Sequence, residues 1–135
     1  MFNKTELIEK LFECDNDLDR FDILAMAALG APKYPDGRKT DEYRVRSCET
    51  NTWFCCEGGE FFAESDSLFV KGLCLALIDA TRGLPDKATD IGFADECFER
   101  GIITKRRRDG LYGVEVEIIK YLNTKNGENQ NEKSH

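Results

Sequence analysis

The chain has 135 residues, 41% hydrophobic and 33% charged, the balance of one globular domain able to bury a core without staples. Acidic residues outnumber basic ones 26 to 19, and the net charge of −7 argues against general nucleic-acid binding. No segment reads as a membrane span, because the apolar run 73–80 is short and contains Asp79.

The amino terminus lacks a basic segment followed by a long apolar run, so no secretory signal is expected and the cytoplasm is the expected location. In that reducing compartment the six cysteines, at 14, 48, 55, 56, 74 and 97, stay as thiols. There is no Cys-x-x-Cys, and the single histidine is His135, so the usual structural zinc patterns are absent.

A first helix is expected with Thr5 as its cap and Leu7, Ile8, Leu11 and Phe12 on one apolar face. A second begins with Asp17 as cap, turns Leu18, Phe21, Leu24, Ala25 and Ala28 inward, and ends at Gly30. The polar segment 31–44, with Pro32, Pro35 and Gly37, reads as a long surface loop. Val45 is expected to begin a strand. Trp53-Phe54-Cys55-Cys56 and Phe61-Phe62-Ala63, joined through Gly58-Gly59, read as a hairpin beside it. In such a strand Cys55 and Cys56 point to opposite faces, which disfavours a shared metal site. Trp53 is expected in the core.

Ser65-Asp66-Ser67 supplies caps for a third helix over 68–80, apolar on nearly every side and therefore buried. Gly72 inside it costs about 1 kcal/mol relative to alanine, which points to close approach of another backbone. Cys74 belongs to this buried helix and reads as inert. Lys71 reads as a side chain reaching back to water. A short helix is expected over 90–100, burying Ile91, Phe93, Cys97 and Phe98 and stopping at Gly101. The cluster Lys105-Arg106-Arg107-Arg108 reads as a solvated loop or as a functional patch. Leu111, Val114, Ile118, Tyr121 and Leu122 recur at helical spacing, and the polar segment 123–135 is expected to form a disordered tail after a folded domain over 1–122.

Function is most legible around Cys48, which sits among short polar residues between Val45 and Trp53. Two readings stand: a buried, inert thiol, or a loop thiol that meets a partner and is drawn toward the thiolate by a nearby cation such as Arg46.

Val45-x-x-Cys48-x-x-x-x-Trp53 and Ser65-Asp66-Ser67-Leu68-Phe69-Val70-Lys71-Gly72-Leu73, with the spacing between them, resemble the SufE-type sulfur acceptor proteins of iron–sulfur cluster biogenesis. Asp17 to Phe21, Glu42 and Arg107-Arg108-Asp109-Gly110-Leu111 extend the likeness across about 7–122. Two departures stand out. Ser47 replaces the family's usual glycine, and a shorter segment after Gly101 leaves Arg107 to be distinguished from Arg106 and Arg108.

The resemblance implies an α+β fold of SufE/IscU type, with a small antiparallel three-stranded sheet covered by helices. It also implies that Cys48 takes sulfane sulfur as a transient persulfide from a SufS-type cysteine desulfurase, activating it, and passes the sulfur to a SufBCD-like scaffold. The pyridoxal phosphate belongs to the desulfurase, so this chain needs no cofactor or metal of its own. It is a sulfur-transfer accessory protein rather than a self-sufficient enzyme, monomeric or weakly dimeric. Arg107 is the implied activating cation, with Arg46 and Lys71 as other candidates. Asp66 is either a helix cap or a brace for the Cys48 loop, or both. The alternative is a cysteine-based metal or Fe–S scaffold, or an adaptor that binds a desulfurase without carrying sulfur.

Overall fold

The computed structural model describes residues 2–85 and 87–131, with 125–131 as backbone alone. Its elements run α1 (Glu6–Glu13), α2 (Asp17–Leu29), a 3-10 turn (Asp41–Tyr43), β1 (Thr52–Glu57), β2 (Glu60–Ser65), α3 (Leu68–Ala80), α4 (Phe93–Glu99) and α5 (Lys105–Asn131). The class is α+β, as expected. Among the described residues no helix is long and apolar enough to cross a membrane.

The hairpin forms where the Gly-Gly pair placed it, with register from Thr52 opposite Ser65 to Glu57 opposite Glu60. Gly58 and Gly59 take φ of +63° and +80°, which the tight two-residue turn requires at both positions. The expected third strand is corrected to a single bridge between Arg44 and Trp53. Val45 N donates to Thr52 O at 2.8 Å, but Cys48 N then donates back to Val45 O at 3.2 Å. That turn consumes the backbone groups a longer strand would have offered to β1.

Thr5 Oγ1 caps α1 by accepting from Ile8 N at 3.3 Å. Asn16, not Asp17, caps α2, accepting from Asp19 N at 2.8 Å. Leu24 and Ala28 are buried as expected, but Leu18 is 70% and Phe21 42% exposed. Only the Leu24 side of α2 faces α3, and Leu18 lies about 120° round the helix from it. Ser67 caps α3, its Oγ accepting from Val70 N at 3.2 Å. Leu73, Ala76 and Leu77 of α3 are wholly or almost wholly buried, each leucine contributing about 2 kcal/mol of apolar transfer.

The close approach expected at Gly72 is present: a Cβ there would lie 2.7 Å from both the carbonyl carbon and the Cβ of Leu24. Trp53 departs from expectation. It is half-buried beneath the 31–44 loop with the Lys39 ammonium 4.8 Å from its ring centre, while Phe54 and Cys55 take the buried positions.

Ile91, Phe93 and Cys97 are buried around α4, whereas Phe98 is 42% exposed. The basic cluster is not a loop: it forms the first turn of α5, where Arg107 N donates to Thr104 Oγ1 at 3.3 Å. Val114 and Ile118 fix the inner face of that helix. The α5 backbone is helical to Asn131, over part of the segment expected as a tail, and residues 132–135 lie outside the described residues.

Candidate functional site

Three segments meet at Cys48. The loop 46–51 carries the thiol, α3 supplies Val70, Leu73 and Cys74, and the start of α5 supplies Arg106, Arg107, Gly110 and Leu111. Together they form a recess, open on one side, with a cavity volume of about 60 Å³. One added sulfur atom is of the order of a water in size, about 30 Å³ in the liquid, so the recess admits it.

Two glycines of α5 let the loop come this close. A Cβ on Gly110 would lie 3.0 Å from Cys48 Sγ and 3.2 Å from Cys48 Cα, and one on Gly113 would collide with Ser47 Oγ. Ser47 Oγ donates to Gly110 O at 3.2 Å, pinning the residue beside the thiol to the helix. Glycine inside a helix costs about 1 kcal/mol, and here both glycines are explained by what lies against them.

Electrostatics inside the recess favour a neutral thiol. Burial pushes the Cys48 thiol above its ordinary value, and the Thr52 hydroxyl, by hydrogen bonding, partly opposes this. Arg46 and Lys71, the other candidate cations, are engaged elsewhere. Arg46 reaches the Asp41 carbonyl at 3.4 Å, and Lys71 is paired with Glu64 at 2.8 Å. The three arginines of α5 are clearly distinguished. Arg106 pairs with Glu49 of the Cys48 loop at 2.8 Å, and Arg108 turns away to Asp95 at 2.6 Å. Arg107 stands at the recess wall with its guanidinium 4.7 Å from the centre of the Phe69 ring, in no ion pair among the described residues.

Asp66 is outside the recess and does not cap α3. Its Oδ2 accepts from Asn51 Nδ2 at 3.0 Å, and its N–H donates to Asn51 O at 3.0 Å. It therefore ties the far end of the Cys48 loop to the entry of α3, the brace rather than the cap of the two expectations. Trp53 does not line the recess. Ser47, Gly113, Glu49 and Cys74 escaped the sequence reading as site residues. The spacing of Gly110 and Gly113 on one face of a helical pattern is the signal that marks such a close approach.

Among the described residues no three His, Cys, Asp or Glu side chains converge in a way that could hold a metal ion.

The fold and the recess define a small α+β domain that carries one half-shielded thiol on a loop clasped between two helices. The family model for SufE, the Fe-S metabolism associated domain, matches residues 5–122, and the chain belongs to this family. The sulfur acceptor protein CsdE of Escherichia coli (strain K12) is 26% identical over 110 residues, covering 75% of each chain.

Proposed function

We propose that this chain accepts sulfane sulfur from a SufS-type cysteine desulfurase as a persulfide on Cys48, thereby stimulating the enzyme, and passes it to a SufBCD-like assembly scaffold. The observation that carries the reading is the half-buried Cys48 thiol, clasped against Gly110 in a recess with room for one more sulfur. Family membership and the likeness to a sulfur acceptor protein support the same role.

Transfer follows thiol–disulfide exchange. The Cys48 thiolate attacks the outer sulfur of the donor's Cys–S–SH. The donor's S–S bond breaks, an S–S bond forms to Cys48 Sγ, the hydrogen on the outer sulfur travels with it, and the donor thiolate leaves. The pyridoxal phosphate chemistry that creates the persulfide belongs to the partner.

Because burial holds Cys48 neutral, attack requires the loop to turn outward when the donor docks, relieving the desolvation that raises the thiol. Arg107, which lines the recess and is in no ion pair among the described residues, then supplies positive charge, and Asp66 keeps the loop's far end anchored through Asn51 while its middle moves. Folded back, the recess keeps the labile persulfide from reductants and oxidants. This chemistry suits the cytoplasm, where the six cysteines stay as thiols.

A cysteine-based scaffold would need several ligands to converge, and no such group occurs among the described residues. The test is radiolabelled cysteine with a purified desulfurase. Label on Cys48, lost in Cys48→Ser with the fold intact, is expected; full stimulation of the desulfurase by Cys48→Ser overturns the proposal.

A further inference from the structure

The recess contains a second sulfur for which the transfer reaction has no use. Cys74, in the middle of α3, is fully buried, and it lines the same recess as Cys48. The other four thiols are elsewhere. Cys14 ends α1, Cys55 and Cys56 lie on β1, and Cys97 lies on α4. Cys48 and Cys74 therefore share a common space: a half-exposed thiol on a loop and an enclosed thiol on the helix behind it. That is the arrangement in which an oxidised cysteine meets a resolving partner.

We infer that Cys74 is a resolving thiol for Cys48, closing an intramolecular Cys48–Cys74 disulfide when a hydroperoxide oxidises the carrier cysteine. In the first step the loop has turned outward, as for sulfur transfer, and the Cys48 thiolate attacks the peroxide's terminal oxygen. The O–O bond breaks, an alcohol or water leaves once it has taken up the thiol's proton, and Cys48–SH becomes Cys48–SOH; the sulfur loses two electrons and the peroxide gains them. In the second step the loop has folded back and Cys74 sulfur attacks the Cys48 sulfur. The S–O bond breaks, the S–S bond forms, and the hydroxyl departs with the Cys74 proton as water. Two equivalents of a small thiol reduce the bridge and return both cysteines. Without the bridge, further peroxide carries Cys48 to the sulfinic acid, from which thiols do not recover it.

The surroundings of Cys74 also explain why it leaves the sulfur cargo alone. A Cys74 thiolate attacking the inner sulfur of a Cys48 persulfide would expel hydrosulfide and waste the cargo. Burial pushes the Cys74 thiol far above its ordinary value, and a charge on Cys48 pushes it further, so the thiolate is scarce. A sulfenic acid on Cys48 condenses with a neighbouring thiol to a disulfide and expels water rather than cargo.

The inference deepens the reading of Cys48 as the reactive thiol and is tested without a desulfurase. The full chain is treated with cumene hydroperoxide, quenched with an alkylating reagent, digested without reductant and mapped by mass spectrometry. A single intramolecular cross-link between the Cys48 and Cys74 peptides is expected in the wild type. In Cys74→Ser, and in Cys74→Ala as the smaller replacement, Cys48 sulfinic acid should accumulate at least about tenfold faster, because the neighbouring thiol that intercepts the sulfenic acid is gone. Should both variants fail to melt cooperatively, the wild-type cross-link and its absence in Cys48→Ser decide alone. Sulfinic acid forming in the wild type with no such cross-link, or a cross-link from Cys48 to any other thiol, overturns the inference. Sulfur uptake measured on the same preparations separates the two readings: uptake with no bridge removes only the resolving role, and a bridge with no uptake removes only the transfer role.

Discussion

Ser47 Oγ donates to the Gly110 carbonyl oxygen at 3.2 Å, so the residue before Cys48 is fastened to α5 across 63 positions of sequence. The resemblance on sequence leads to an expectation of glycine at this position. Here the hydroxyl fills the space that Gly113 leaves open, and the loop gains a polar fastening that glycine cannot give.

Removing that fastening should loosen the loop without unfolding the domain. A neutral hydrogen bond contributes about 1 kcal/mol, so Ser47→Ala is expected to raise the rate of Cys48 alkylation by iodoacetamide about fivefold. The thermal midpoint should fall by only a few degrees. An alkylation rate equal to the wild type would mean that Ser47 does not hold the loop.

Arg107 and Arg108 should separate by what they disturb. Loss of a charge-assisted contact costs about 1.5–3 kcal/mol, so Arg107→Ala should lower the rate of sulfur uptake by about 10- to 100-fold at unchanged thermal midpoint. Arg108→Ala, which loses the Asp95 pair between α4 and α5, should shift stability modestly and uptake little. Equal effects of the two on uptake would refute the assignment of Arg107 to the recess.

Glu115 gives the fold a pH dependence. Its carboxylate is buried on α5 and accepts from Ala94 N at 2.7 Å; burial first, with Asp95 and Asp90 adding to it, pushes its carboxyl up to about 7 from 4.5, against the pull of the Ala94 and Gly92 amides. Between those values the native state keeps a proton that the unfolded chain has released. Stability is therefore highest below about pH 4.5 as far as this group is concerned, and falls as pH rises toward 7, by up to roughly 3 kcal/mol. Glu115→Gln should flatten that fall relative to wild type in melts from pH 4.5 to 8, and a parallel pair of curves would exclude it.

At Gly72 two effects oppose each other. Alanine would gain about 1 kcal/mol of helix propensity, but its methyl would press on the Leu24 backbone, and overpacking costs about 1–3 kcal/mol or more where backbone must shift. Gly72→Ala should therefore lower the urea midpoint. A stabilised variant would show that α2 moves aside easily.

Elements whose signals are local were legible in the sequence. The Gly58-Gly59 turn, the Thr5 and Ser67 caps and the apolar run of α3 each carry their own physical cause, and each appears where expected. What failed depended on neighbours. Leu18 and Phe21 fit an inward face, but the pattern does not say which side of α2 meets α3. Val45 has strand character and its N–H bonds Thr52 O, but the turn back through Cys48 N takes its carbonyl and stops the pairing there. The basic cluster resembled a loop because three arginines suit a helix start poorly; acidic partners on neighbouring segments, Glu49 and Asp95, relieve that. Cys48 was singled out by its polar neighbourhood and by the family likeness, whereas Cys74 gained meaning only from the groove it shares.

The backbone contact between Gly72 and Leu24 has one more consequence. With no side chain between them, α2 and α3 pack backbone to backbone, which favours a stiff floor behind the sulfur. Access must then be governed by a hinge in the six-residue arm 46–51 alone, so a crosslink freezing that arm should silence the protein while one between the two helices leaves it working.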